Sequence, residues 1–288
     1  MVNMNEIKSR TRAVEQTRKI TKAMHLISTV KMRRALLRYD KNATYMKKLR
    51  TTIKEILLHV GEINHPFLEE REGSRRAFLV IAGDKGLCGS YNANVLKLAL
   101  KEIEVSSEKF IFTVGHMATQ FFNRKNQMVD VEFLHTAQNP ELENARQIAD
   151  TFIDLYNQDM IDEVVLVYTE IESTVMQTPK MIKLLPLELG DFTDIDVELN
   201  FEGEFSYEPN PKTVFNSMVP QYIIGILYAA LVQSFASEQC ARMQAMESST
   251  ENADDMLKKL NQEYRRARQN AVTQEMLEIM GGRINENI

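Results

Sequence analysis

Glycine and proline are missing from the first 60 residues and from positions 226–280; fifteen of the eighteen in the chain lie between Gly61 and Pro220. Backbone breakers are thus confined to the middle, and two long uninterrupted segments flank it. Cysteine is scarce too. Cys88 and Cys240 stand far apart, with neither metal spacing nor a disulfide framework, as in proteins of a reducing compartment. No apolar run approaches a membrane span: the longest, Tyr222–Val232, has 11 residues where about 20 are needed. The opening "MVNMNEIKSR" has no apolar signal core and no transit pattern. Acidic side chains are sparse at the start. Residues 1–60 carry 15 Lys/Arg against 4 Asp/Glu, whereas residues 61–219 carry 13 against 27. A basic segment this unbalanced has few carboxylates of its own to pair with, and it calls for an anionic partner, either nucleic acid or an acidic protein surface.

Both flanking segments read as long helices. In the first, Leu36, Tyr39, Ala43, Met46, Ile53, Leu57 and Val60 recur every three or four residues, with Arg50 as the one break. That is the spacing of a coiled-coil seam. Upstream the seam thins to Ile7, Val14, Ile20, Met24 and Ile27, and a discontinuity is expected before Met32. Nearly sixty helical residues would span roughly 90 Å, so this helix is expected to project. In the last segment Met246, Thr250, Ala253, Leu257, Leu260, Tyr264, Ala267 and Ala271 hold an unbroken three-four alternation. Asn210-Pro211 is a start signal, and Gly281-Gly282 reads as the stop. The helices should run antiparallel. With Val60 opposite Lys212, paired residue numbers sum to about 272, and Met1 falls near Ala271. The apolar stripe beyond that point, Val272, Met276, Ile279 and Met280, then has no partner in this chain.

The middle alternates strand-like and helix-like stretches. "AFLVIAG", "FIFTVG", "VDVEFL" and "EVVLVYTEI" read as buried strands, and "NANVLKLALKEI" and "ELENARQIADTFIDLY" as the helices between them. "MQTPKMIKLLPL" follows the fourth strand closely enough to make an antiparallel edge. The expected architecture is an inserted, Rossmann-like three-layer α/β/α domain with about five mostly parallel strands, set in an antiparallel helical coiled coil. The expected divisions are a helix over 1–60, the inserted domain with foot loops over 61–211, and a second helix with a protruding tip over 212–288.

Chemistry-bearing groupings are weak. "AGDKGLCG" follows a strand and precedes a helix, but its glycines at 83, 86 and 89 do not match a dinucleotide or phosphate-loop pattern, so a tight turn is the plainer reading. The histidines, at 25, 59, 65, 116 and 135, show no metal spacing, and no nucleophile triad can be assembled. Cys88, beside a helix N-terminus, is at most mildly reactive. The 16 methionines suit either ordinary seam packing or a soft surface for changing contacts.

Five stretches taken in order resemble one family: "TRKITKAMHLISTVKMRRA" (17–35), "GDKGLCGSYN" (83–92), "YEPNP" (207–211), "SFASEQCARMQAMESSTENA" (234–253) and "ARQNAVTQE" (267–275). Together they are similar to the gamma subunit of rotary ATP synthase. The resemblance implies a non-catalytic central shaft inside a ring of alpha and beta subunits. The epsilon subunit and the membrane c ring would lie at its foot, with the delta, a and b subunits as indirect partners. Nucleotide and magnesium would bind to those partners, leaving this chain without a cofactor, a metal or a catalytic residue.

Carried onto this chain, the resemblance puts Lys22, Met24, Lys31 and Arg33 against acidic levers of beta, with Arg242 across the coil from Met24. Arg268, Gln269, Thr273 and Glu275 would meet loops higher in the sleeve, and Tyr207 and Glu208 would meet epsilon and the c ring. Val272, Met276, Ile279 and Met280 would form the axle tip. The expected location is the cytoplasmic face of a bacterial plasma membrane, as a peripheral part of the complex. The turn "GDKGLCGSYN" departs from the family's usual "SDRGLCGGLN", and no chloroplast-type cysteine insertion is present. Two other readings stay open: a scaffold or nucleic-acid-binding stalk using the basic helix, and a nucleotide-binding enzyme using the 83–89 loop.

Overall fold

The structure is a computed structural model describing residues 4–60, 65–187 and 208–285, apart from 70, 72, 135, 174, 175 and 209. Side chains within these residues are described except at 58–60, at 211 and beyond 277. Its elements run α1 (Met4–Val60), β1 (Arg75–Ile81), α2 (Tyr91–Val105), β2 (Glu108–Val114), α3 (His116–Arg124), β3 (Val131–Phe133), α4 (Leu142–Asn157), β4 (Glu163–Ile171), β5 (Gln177–Leu185) and α5 (Pro211–Asn285). Two compact units emerge. Residues 29–241 form one; residues 1–28 and 242–288 form the other. These boundaries fall inside α1 and α5, whereas the sequence-based divisions at 60 and 211 follow the helix ends.

In the larger unit the sheet order is β3-β2-β1-β4-β5. Every pairing is parallel except β4 with β5, which is antiparallel. This is the expected five-stranded arrangement. Side chains alternate across the sheet with a period of two. Leu79 and Ile81 point into a core shared with α4, with Met46–Ile56 of α1 and with Phe215–Leu231 of α5. Phe78 and Val80 point the other way, against α2 and α3. The central strands are therefore covered on both faces, and β1 is apolar almost throughout.

α5 begins as its sequence suggests. Asn210 Oδ1 accepts a hydrogen bond from Thr213 N at 2.8 Å, capping a helix whose first residue is Pro211. It then departs from expectation, running through Gly281-Gly282 to Asn285. Each glycine costs a helix only about 1 kcal/mol, which weakens the last turns without forbidding them. α5 contains a stretch long and apolar enough to cross a membrane, yet half of that stretch is buried within the fold. Residues 230–241 are buried on nearly every side.

The seam of α1 differs from the apolar pattern. Sheltered positions are Ile7, Thr11, Val14, Arg18, Thr21, His25, Ser28, Met32, Ala35, Tyr39, Asn42, Met46, Leu49, Ile53 and Ile56. They alternate in steps of four and three without a break, so the expected discontinuity before Met32 is absent. Thr21 and Ser28 are 7% and 2% exposed, whereas Ile20 and Ile27, which the apolar pattern assigns to the seam, are 60% and 56% exposed. Ala43 also faces out. The apolar count failed because hydroxyl side chains occupy two inner positions.

A buried acid ties β1 to the start of β4. The Asp162 carboxylate accepts from Arg75 Nε at 2.9 Å, Arg75 Nη2 at 2.6 Å and Arg75 N at 3.0 Å. The Arg75 guanidinium holds the Asp162 carboxyl below its ordinary range, against the opposing effect of burial, with the Arg75 backbone N–H adding to the shift. A depressed folded-state pKa stabilises the fold above the unfolded value near 3.9 and ceases to do so as pH falls through the lower, folded value. Asp162→Asn should therefore destabilise the chain by about 1–3 kcal/mol at neutral pH, by leaving buried donors poorly matched. Below pH ~4 the gap should narrow. Urea melts of both proteins at pH 7 and pH 3 check this; a gap that does not shrink at pH 3 removes Asp162 from the acid sensitivity of the fold.

Candidate functional site

In the smaller unit residues 4–28 pack along 242–277. Thr21 and Thr250 hydroxyls lie 2.7 Å apart, Arg18 Nη1 and Asp254 Oδ1 3.0 Å apart, and Lys8 Nζ stands 5.5 Å from the Tyr264 ring centre. Paired numbers sum to 271 or 272 in all three, the register expected from the sequence. The seam of α5 is also as expected: Met246, Ala253, Leu257 and Leu260 are buried, and Thr250, Tyr264, Ala267 and Ala271 half-buried.

Past Ala271 shelter ends abruptly. Val272 and Met276 are 46% and 62% exposed, and Leu277, which the sequence reading left out, is equally open. The side chains of Ile279 and Met280 lie outside the described residues. On the same stretch Arg268, Gln269, Thr273 and Glu275 are exposed. Thr273 returns its hydroxyl to the Gln269 carbonyl at 2.9 Å, so as a donor it is committed to its own helix.

On α1, Lys22, Lys31 and Arg33 are exposed and Met24 is half-buried. Arg242 is half-buried as well. The register places Ser248 opposite Met24, leaving Arg242 about 9 Å further along by helical rise. Between and beside the cations stand apolar side chains that sequence reasoning missed: Ile20, Leu26, Ile27, Val30 and Leu37, all about half exposed or more. The signal was available. Allowing Thr21 and Ser28 into the seam turns these residues outward. Cations interleaved with aliphatic side chains on a helix suit a protein surface better than a phosphate backbone, which asks chiefly for charge. Of the proposed foot contacts, Glu208 is exposed, while Tyr207 lies outside the described residues.

The 83–92 turn is built from inside. Asn92 Oδ1 accepts from Gly83 N at 2.9 Å, and its amide reaches Cys88 Sγ at 3.3 Å. The Glu238 carboxylate of α5, in a residue only 6% exposed, sits so close to Gly83 that a Cβ there would be 3.0 Å from it. Tyr91 is buried beside it. Its phenol is pushed well above the ordinary value by burial and by Glu238, with hydrogen bonding to Ser234 and Thr169 opposing. A carboxylate packed against the glycine opposes a phosphate there, so the loop works as a strand-to-helix turn docked on α5. Cys88 is buried, which shields it from reagents.

Comparison with known proteins bears on all of this. Residues 3–283 match the family model described as ATP synthase. The ATP synthase gamma chain of Ruminiclostridium cellulolyticum is 44% identical over 287 residues, covering 97% of each chain. That of Acetivibrio thermocellus is 38% identical over 291 residues, covering 98% of each. Among solved structures, a chain of the Euglena gracilis mitochondrial ATP synthase (OSCP/F1/c-ring, rotational state 3) is similar with a TM-score of 0.67 at 16% identity, over 96% of this chain and 92% of that one. At that identity the structural likeness speaks for the fold alone.

Proposed function

The chain belongs to the ATP synthase gamma-chain family, and on that premise we propose how this rotor subunit meets its neighbours. It is the central-stalk subunit of an ATP synthase and is itself non-catalytic; the nucleic-acid stalk has no support. The exposed cations Lys22, Lys31 and Arg33, with the half-buried Met24 and Arg242, meet acidic levers of the beta subunits. Arg268, Gln269, Thr273 and Glu275 meet the surrounding alpha and beta loops. Val272, Met276, Ile279 and Met280 turn within an apolar bearing made by those subunits. Tyr207 and Glu208 serve the foot, toward epsilon and the c ring. The chain needs no cofactor or metal of its own. It sits peripherally on the cytoplasmic face of the membrane.

The observation that carries this reading is the row at Val272, Met276 and Leu277. It continues a helix whose preceding turns are sheltered, yet it is open to solvent. Apolar side chains in a row need cover from somewhere. The test is native purification through a tag on this chain. Alpha and beta subunits should co-purify in a complex that hydrolyses Mg-ATP, and the chain alone should show no turnover. Recovery of the chain free of partners, or ATP turnover by the chain alone, would overturn the proposal.

A further inference from the structure

A cavity of about 270 Å³ opens in the larger unit between α1, α5 and the β4–β5 edge. Its two ends differ. At one end Gln233 is 6% exposed, and its Oε1 is buried and meets no donor among the described residues. Tyr39, Tyr168 and Glu170 line the same cavity. Burial, with Glu170 and Tyr39 nearby, pushes the Tyr168 phenol up to about 12. Lys180 on β5 forms an ion pair with Glu170. Arg50 also lines the cavity; it lies 11 residues from Tyr39 on α1, roughly 16 Å along the helix. The wall between is aliphatic: Met46, Ile182, Ile226 and Ala229. Strand register agrees with this polarity, since Ile182 pairs with Leu166, well along β4 from Glu170.

A buried acceptor without a donor is costly, and a mostly apolar chamber with a few convergent polar groups is the usual form of a small-molecule site. We propose that this cavity binds an elongated small molecule with an ammonium group at the Gln233 end, an apolar body, and a carboxylate toward Arg50. The ligand class is an ω-amino acid with a flat or aliphatic spacer. The volume suits a ligand of about ten heavy atoms, below drug size. Such a ligand touches α1, α5, β4 and β5 together. Binding the folded chain alone, it stabilises it by mass action.

The probe is 4-(aminomethyl)benzoate, titrated calorimetrically into the full chain. Saturable binding at one site per chain is expected. Benzylamine, lacking the carboxylate, should bind several-fold more weakly, and 4-methylbenzoate, lacking the ammonium, should lose at least tenfold; benzylamine binding as tightly as the probe would overturn the carboxylate's placement toward Arg50. Gln233→Leu keeps the side-chain bulk and removes the acceptor, so it should weaken the probe tenfold or more. Ala43 stands exposed at the rim; Ala43→Phe narrows the mouth without entering the core and should abolish binding. No saturable binding by the parent chain would overturn the assignment. So would probe affinity unchanged in Ala43→Phe, the variant that keeps the test open if Gln233→Leu folds poorly.

Discussion

A chain that stops after Ala271 is expected to fold as before and to lose its grip on the rest of the complex. The residues removed begin where the seam ends, and Val272, Met276 and Leu277 contribute little to the chain's own interior because they are about half exposed or more. The melting temperature of the truncated chain should therefore differ from the parent's by no more than about 2 °C, the shift expected from a fraction of a kcal/mol in a chain this long. In an assembled enzyme whose other subunits cover the row, as proposed, the cost is different. Sheltering one such side chain is worth about 1.5–3 kcal/mol, so losing the row removes on the order of several kcal/mol of contact. Assembly with the alpha–beta ring should weaken measurably, or the complex should show lower torque and ATPase rate. Melting of the isolated chain and yield of the complex, truncated against parent, are the two readings. An isolated chain that collapses while the truncated complex keeps full yield and rate would mean the row packs within this chain.

The second large effect is expected inside the α/β domain. Gly115 lies between β2 and α3 with φ of +93°, in a region other residues rarely enter. A Cβ there would come 2.2 Å from the Ala82 carbonyl oxygen and 2.8 Å from its carbon. Both are backbone atoms of the segment leaving β1, which hydrogen-bonds to β2 through Ala82 N and the Val114 carbonyl at 2.9 Å. Neither can step aside without opening the sheet. Backbone strain of about 1–3 kcal/mol and overpacking of about 1–3 kcal/mol should combine in Gly115→Ala. The melting temperature should fall by on the order of 10 °C. Gly86 is the internal control: a Cβ there meets nothing within 4 Å, so Gly86→Ala should be close to silent. Equal melting of the two variants would rule out the close approach as the cause.

Legibility in the sequence followed how many demands each residue served. β4 was readable end to end because 163–171 answers only to the sheet, and the α5 seam from Met246 to Ala271 because its apolar residues face a single partner. α1 was misread at Ile20 and Ile27. An aliphatic residue at seam spacing reads as inward-facing; here Ile20 and Ile27 stand in solvent, and Thr21 and Ser28 hold the inside. α3 went unseen because a nine-residue helix with two buried residues, Ala118 and Phe122, is too short to show a period. That Lys22, Lys31 and Arg33 lie on α1, and Val272 and Met276 on α5, could be read from sequence. That Glu238 closes the 83–92 turn could not, because the two are joined only by the fold.

The deep placement of α5 has a consequence for how the protein is made. Strands β1 to β5 are complete once residue 185 is synthesised, but one face of that sheet is closed by Phe215, Val219, Ile223, Leu227 and Leu231. At about 5–20 residues per second, the ribosome needs several seconds more to release those side chains. Until then Leu79, Leu166 and their neighbours have α4 and α1 for company but no lid. The nascent chain therefore passes through a window in which part of an apolar sheet face is uncovered, and a chaperone that holds such surfaces has its best opportunity there. Slowing translation between 186 and 231 should lengthen that exposure and raise aggregation, without altering one contact of the finished fold.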